Sequence, residues 1–283
     1  MISRRLLLVQ TLLVLAGCVY FNSTSDRKLE KLTIGIVAYG EASRKIEQYN
    51  QFVNYLQKEI NTLIDLEPTY NEIKAIEQIQ RQAWDLVFAP SGLAAIAIAK
   101  AQYLPLFRLQ NDNQLRSVFV VLKQSRIQKL EDLAKQKVAL GQPGSSTGYY
   151  VPLYDLYGYT LAEVLLAPTP QTVLEWISKG DVAAGALSES EFNLYRSQFS
   201  SAEFRVIYTS RPIPVGSVLI SPKLERNQQE LIKKAMSSVS SDLAENTGYI
   251  PNAKVPDYQN LIAMIEKVKP MEAHINEKPA RLF

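Results

Sequence analysis

Ten consecutive residues, Gly141-Gln142-Pro143-Gly144-Ser145-Ser146-Thr147-Gly148-Tyr149-Tyr150, put glycine, proline and hydroxyl side chains directly after the strand-like run Lys137 to Leu140. A turn of this kind opening a helix suits an anion. The first N–H groups of a helix lack intrahelical acceptors, the macrodipole is positive at that end, and short hydroxyls add donors. Gly144 and Gly148 would let an oxygen approach the main chain closely. The same composition also describes an ordinary N-cap on a strand-to-helix turn, and the segment alone leaves both readings open. Pro152 costs about 3 kcal/mol deep in a helix and little at its first position, so the helix is expected to begin nearer Tyr150 than Ser146.

Other chemistry finds less support. His274 is the sole histidine and Cys18 the sole cysteine, which excludes a soft-metal site in the mature domain. No Asp-rich calcium loop is present. Ser146 has no histidine partner in view and no G-x-S-x-G elbow around it, so hydrolase chemistry is not expected. No metal or cofactor is called for. Tyr149, Tyr150, Tyr154, Tyr157 and Tyr159, like Trp84 and Trp176, read mainly as packing residues. Arg116 and Arg211 could face a cleft and reinforce an anion, although surface pairing is the default. Glu189 and Glu191 read as a solvated helix face.

The elements that must position the turn follow from periodicity. Lys31 to Ala38 is a β-branched run, and Ile46, Tyr49, Val53, Leu56 and Ile60 follow at helical spacing. Ile64 to Tyr70, Glu72 to Gln82, Asp85 to Phe88 and Ser91 to Lys100 then alternate strand and helix, which implies parallel pairing with helices on both faces. A second α/β unit opens at the strand 116–123 and continues through a helix near 147–157, a helix 171–179, and strands 182–186 and 205–208. Val215 to Ser221 is a further strand, and helices near 227–245 and 257–267 form a tail expected to pack on the first unit.

The ends set the compartment. Arg4 and Arg5 precede an apolar run from Leu6 to Ala16 that is shorter than the ~20 residues of a spanning helix and closes on Leu15-Ala16-Gly17-Cys18. Residues 1–18 therefore read as an exported signal peptide, and residues 19–30 as a polar tether. The 31 basic and 28 acidic residues of the whole chain become 29 and 28 once Arg4 and Arg5 leave, which removes the electrostatic case for nucleic acid.

The tetrapeptide at 15–18 resembles the bacterial lipobox, which implies lipidation of Cys18 and a membrane anchor. The segments DLVFAPSGL (85–93), RSVFVVLKQS (116–125), IQKLEDLAKQKVALGQPGSSTGYYVP (127–152), ISKGDVAAGA (177–186) and VIYTSRPIPVGSVLIS (206–221) resemble, in order, the phosphate, phosphite and phosphonate ABC-transporter substrate-binding proteins. That resemblance implies an α/β fold of the type II periplasmic-binding kind, two-lobed, with a mixed sheet in each lobe and an interlobe cleft. It implies lobe I from 31–112 and 216–283 and lobe II from 113–215. It assigns the oxyanion cradle to Ser145, Ser146, Thr147 and Gly148 with Tyr149 beside them, and the opposing side of the cleft to Tyr39 and Ser91. The partners it implies are a small oxyanion and an ABC permease, for a monomeric protein that is not an enzyme. Three positions depart from the family pattern: Leu93 replaces a tyrosine, Ala167-Pro168-Thr169-Pro170 lacks a histidine, and Gly216 stands where aminophosphonate binders carry an acid. An amine-bearing phosphonate is disfavoured on that last ground. A sensor or ligand-poor lipoprotein of the same fold is the alternative, and an enzyme on this scaffold a more distant one.

Overall fold

A computed structural model of the chain describes residues 29–37, 48–110, 114–199 and 202–283, and residues 31–283 form one compact unit. Along the chain, β1 (Lys31–Val37) leads to α1 (Tyr49–Ile60), β2 (Leu63–Thr69), α2 (Glu72–Gln80), β3 (Leu86–Ala89), α3 (Ser91–Ala101) and β4 (Leu104–Leu109). Next come β5 (Ser117–Leu122), β6 (Lys137–Leu140), a helical turn Ser146–Tyr150, α4 (Val151–Asp155), β7 (Thr160–Leu161) and β8 (Glu163–Leu166). The second part closes with α5 (Pro170–Lys179), β9 (Ala184–Ser188), α6 (Glu189–Tyr195) and β10 (Phe204–Thr209). The chain ends with β11 (Ser217–Ile220), α7 (Arg226–Ser237), α8 (Ser241–Thr247), β12 (Tyr249–Ile250), α9 (Gln259–Glu272) and β13 (Ala280–Arg281).

Two mixed sheets result. The first has the order β12-β4-β11-β3-β1-β2 and the second β10-β5-β9-β6-β8. In the first, β1 runs parallel to β2 and β3, while β11 returns antiparallel to both β3 and β4. In the second, β6 runs parallel to β8 and β9, and β5 is antiparallel to β9 and β10. The innermost strands are buried along their whole length, as strands covered on both faces must be: β3 (LVFA), β9 (AGALS) and β11 (SVLI) have no exposed residue. Strand β4 escapes a periodicity reading because Pro105 interrupts it, and its pairing with β11 shifts register between Val218 and Leu219.

The chain passes between the sheets at 110–116 and again at 210–216, where Leu115 and Ile213 form an antiparallel bridge. Their main chains are tied further by Arg116 Nη1 donating to the Ser210 carbonyl at 2.8 Å and Ser117 N donating to Ser210 Oγ at 2.9 Å. The tail departs from expectation. Helix α9 packs on α3 beside the first sheet, but also on α4 and the 146–150 turn beside the second, and β13 pairs with β7. A two-residue strand carries no periodicity, so its partner is set only by tertiary contact.

Where α4, β10, the 210–216 crossover and α9 meet, burial pushes the Asp155 carboxyl up to about 6, against the lowering effects of the Tyr208 hydroxyl and the Arg211 guanidinium. A raised folded-state value means that the ionised form is disfavoured by folding. Its unfavourable contribution is therefore absent below the unfolded value and fully present above about pH 6. Asp155→Asn is expected to raise Tm at pH 7.5 by roughly 2–4 °C, the size of effect that about 1 kcal/mol has on a chain of this length. The gain should vanish by pH 4, as thermal melts across that range would show.

Candidate ligand-binding site

A cavity of about 250 Å³ lies between the two sheets, a volume suited to a small ion or molecule. Its walls come from the end of β3 (Pro90, Ser91), both crossovers (Gln110, Gly216), the 141–148 turn, and the segments 167–170 and 186–191. The C-terminal edges of β6 and β9 thus face the start of α3 across it.

The turn is built by a chain of substitutions for missing hydrogen bonds. Ser145 Oγ accepts from Gly148 N at 2.9 Å, and the Ser145 carbonyl accepts from Tyr149 N and Tyr150 N at 3.2 and 3.1 Å. Val151 N then reaches back to the Ser146 carbonyl, five residues away, which makes Ser146–Tyr150 a π-helical turn. Such wide turns are rare and concentrate at functional sites. The π-helical turn begins at Ser146, and the α-helix that follows, α4, begins at Val151 with Tyr150 as its N-cap and Pro152 in its first turn, near where Pro152 led one to expect it. Pro152 is tolerated because it has no N–H to offer the Gly148 carbonyl, and that carbonyl accepts from Gly141 N at 2.7 Å instead. The Thr147 carbonyl accepts from Ser117 Oγ at 2.6 Å, which ties the turn to the central strand β5. Among the described residues, the N–H groups of Ser146 and Thr147 have no protein acceptor.

Ser91 faces this turn from the other side. Its side chain is 2% exposed, and Ser91 Oγ has no hydrogen-bond partner among the described residues. A buried hydroxyl left unpaired costs about 1–3 kcal/mol, which a ligand oxygen in the cavity would recover. The two walls touch directly, because a Cβ placed on Gly92 would lie 2.2 Å from the Gly144 carbonyl oxygen and 2.7 Å from Ser146 N.

The electrostatics are those of neutral donors. Among the described lining residues there is no Lys, Arg or His, and the two charged groups are the carboxylates of Glu72 and Glu191. Glu191 is committed to a capping box: its Oε2 accepts from Ser188 N at 2.9 Å and from Ser188 Oγ at 2.7 Å, at the head of α6. Within the 167–170 stretch that lacks a histidine, Thr169 is the N-cap of α5, its Oγ1 accepting from Thr172 N at 3.2 Å.

Of the residues singled out from sequence, Ser91, Ser145, Ser146, Thr147 and Gly148 come together on this cavity. Tyr149 does not line it. Its ring is 1% exposed, its hydroxyl meets the Glu272 carboxyl of α9, and burial raises its pKa far above the usual tyrosine value. Burial likewise pushes the Glu272 carboxyl up. Tyr39 and Cys18 lie outside the described residues. Neither Arg116 nor Arg211 reaches the cavity: Arg116 bonds the Ser210 carbonyl and Gln114, and Arg211 lines a separate cavity near Asp155. Glu191 reaches it through its cap, whereas the other carboxylate reading, Glu189, does not. Glu72 and Thr169 are lining residues that the sequence did not single out. The N-cap pattern Thr-Pro-x-Thr before α5 was the available signal for Thr169.

Two sheets joined by paired crossovers, with polar strand ends converging on a gap between them, define the type II periplasmic-binding class of solute-binding protein. The Xanthomonas citri protein XAC2383 bound to a chloride ion is similar at a TM-score of 0.70 and 17% identity over 85% of this chain and 99% of that one. PhnD1 from Prochlorococcus marinus in complex with methylphosphonate is similar at 0.68 and 17% over 84% and 98%, respectively. A binding-protein component of an ABC phosphonate transporter from Pseudomonas aeruginosa is similar at 0.67 and 15% over 88% and 89%. No curated protein matches. Residues 34–266 match the family described as ABC transporter, phosphonate, periplasmic substrate-binding protein, and the chain belongs to it. It is accordingly an exported solute-binding protein of an ABC transporter rather than an enzyme. No helix among the described residues is long and apolar enough to cross a membrane.

Proposed function

We propose that this protein captures a small phosphorus oxyanion of the phosphate, phosphite or phosphonate class between lobe I (31–112 and 216–283) and lobe II (113–215), and presents it to its permease. The observation that carries the reading is the buried, unpartnered Ser91 hydroxyl facing the free N–H groups of Ser146 and Thr147 across one cavity. Neutral donors held in place by the π-turn are matched to oxygens and need no reorganisation when the ligand arrives. The Ser145, Ser146 and Thr147 hydroxyls and the Gly148 turn supply lobe II's share, and Ser91 supplies lobe I's, joined by Tyr39. Tyr149 acts at one remove by bracing the turn against α9. PhnD1, solved with methylphosphonate, supports an alkylphosphonate as a first candidate. The protein works as a monomer held at the membrane by a lipid on Cys18, and ligand binding favours the closed arrangement of the lobes.

A thermal-shift panel of phosphate, phosphite, methylphosphonate, sulfate and small carboxylates tests this directly. A ligand at a hundred times its Kd adds about 2.7 kcal/mol of stability. Absence of any shift would favour a ligand-poor lipoprotein of the same fold. Thr147→Ala should weaken the preferred anion about tenfold, the ~1.4 kcal/mol of one lost hydrogen bond, with Tm of the unliganded protein unchanged. Unchanged affinity in titration calorimetry would remove Thr147 from the site.

A further inference from the structure

A second cavity, of about 280 Å³, lies against the 210–214 crossover and shares no lining residue with the first. One wall is α4 (Val151, Tyr154, Asp155), the second is the 210–214 crossover with Tyr208 before it, and the third is α9 (Asn260, Leu261, Met264). Val151, Pro212, Ile213, Pro214, Leu261 and Met264 give it an apolar half, and the other half of the lining is polar, with Asp155 and Arg211 as its charged groups. One Asp155 carboxyl oxygen meets the Tyr208 hydroxyl, while Oδ2 is buried with no partner among the described residues. Arg211 lies near enough to lower the Asp155 pKa but makes no ion pair with it. Tyr154 is turned to Lys267, whose Nζ sits 5.1 Å from the ring centroid, so that cation is engaged elsewhere.

A carboxylate oxygen cut off from water needs a donor, and an ionised one favours a charged donor. The aliphatic walls around it need apolar surface. The two requirements meet in one kind of molecule. We propose that this cavity is a second ligand site, which takes a small organic ammonium compound, with the ammonium on Asp155 Oδ2 and a branched apolar body against Ile213, Leu261 and Met264. A free amine and an aliphatic amino acid share that chemistry. They differ in a carboxylate, for which Arg211 on the rim is the available partner. The cavity has room for such a molecule, being several times the ~30 Å³ that one water occupies.

The test uses the whole chain and three probes matched in their apolar part: isoamylamine, leucine and isovalerate, each up to about 50 mM. Isoamylamine, leucine or both should raise Tm by several degrees, while isovalerate should not. A response to isoamylamine identifies the amine as sufficient, and a response to leucine alone brings Arg211 into the site. Asp155→Asn, which preserves shape, should abolish the response. Met264→Phe, which narrows the cavity from α9 without touching the carboxyl, should weaken it. Both variants should keep the anion response of the first site, which separates loss of this site from loss of fold. The proposal is overturned if neither ammonium probe shifts Tm, if isovalerate shifts it equally, or if Asp155→Asn retains the wild-type response.

Discussion

Replacing Gly92 with alanine should lower anion affinity about 10- to 100-fold. The methyl group would lie 2.2 Å from the Gly144 carbonyl oxygen and 2.7 Å from Ser146 N, distances at which main chain must move because no flexible side chain can yield. Main-chain overpacking costs about 1–3 kcal/mol, which corresponds to one or two decades in Kd. Where the cost falls is informative. The unliganded protein can separate α3 from the 141–148 turn and relieve the clash, whereas a ligand held by Ser91 and Thr147 together cannot be bound with the walls apart. The expected pattern is therefore a large rise in Kd by calorimetry beside a small fall in the Tm of the free protein. An unchanged Kd would show that the two walls do not meet in the liganded state.

The second large effect concerns Gly35, in the middle of β1. A Cβ there would penetrate the Trp84 ring, at 2.0 Å from Cδ2 and 2.3 Å from Cε3. The ring is 1% exposed and anchored by Nε1 donating to Glu67 Oε2 at 2.9 Å, so it has no low-cost rotamer to take up. Gly35→Ala should cost roughly 3 kcal/mol and lower Tm by about 10 °C. Shrinking the partner tests the cause. In the double variant with Trp84→Leu, the loss should be smaller than the sum of the two single losses, a coupling that a double-mutant cycle measures. Strict additivity would place the strain elsewhere.

Much of this architecture is legible from periodicity. The runs of β1, β3, β5, β6 and β11 are short, apolar and bounded by turn residues, and α1 and α5 carry apolar residues at helical spacing. The lining role of residues 145–148 is only half local, since a hydroxyl-rich turn after a buried strand serves equally as a plain N-cap and the resemblance to a known family decides between the two. What stays hidden depends on contacts distant in sequence. Glu72 reaches the cavity because α2 begins beside Gly144, and nothing in its neighbourhood along the chain records that. Tyr149 lies between two cradle residues and a second tyrosine, yet a π-helical turn rotates it onto α9. The long helix expected over 227–245 is two helices, because the first ends at Ser237 and Ser240 caps the second by accepting from Leu243 N. The two-residue strands β7, β12 and β13 exist only through their partners.

Strand β13 bears on motion as well as topology. The chain enters the first sheet at Lys31 and finishes against β7 at Ala280–Arg281, so a third passage at α9 accompanies the two crossovers. Two adjacent strands alone permit the lobes to swivel about their shared axis. A strap set off that axis suppresses swivelling and leaves mainly opening and closing. A pair of fluorophores on the exposed Lys31 of the first sheet and Lys137 of the second would then read cleft closure as a change in energy transfer.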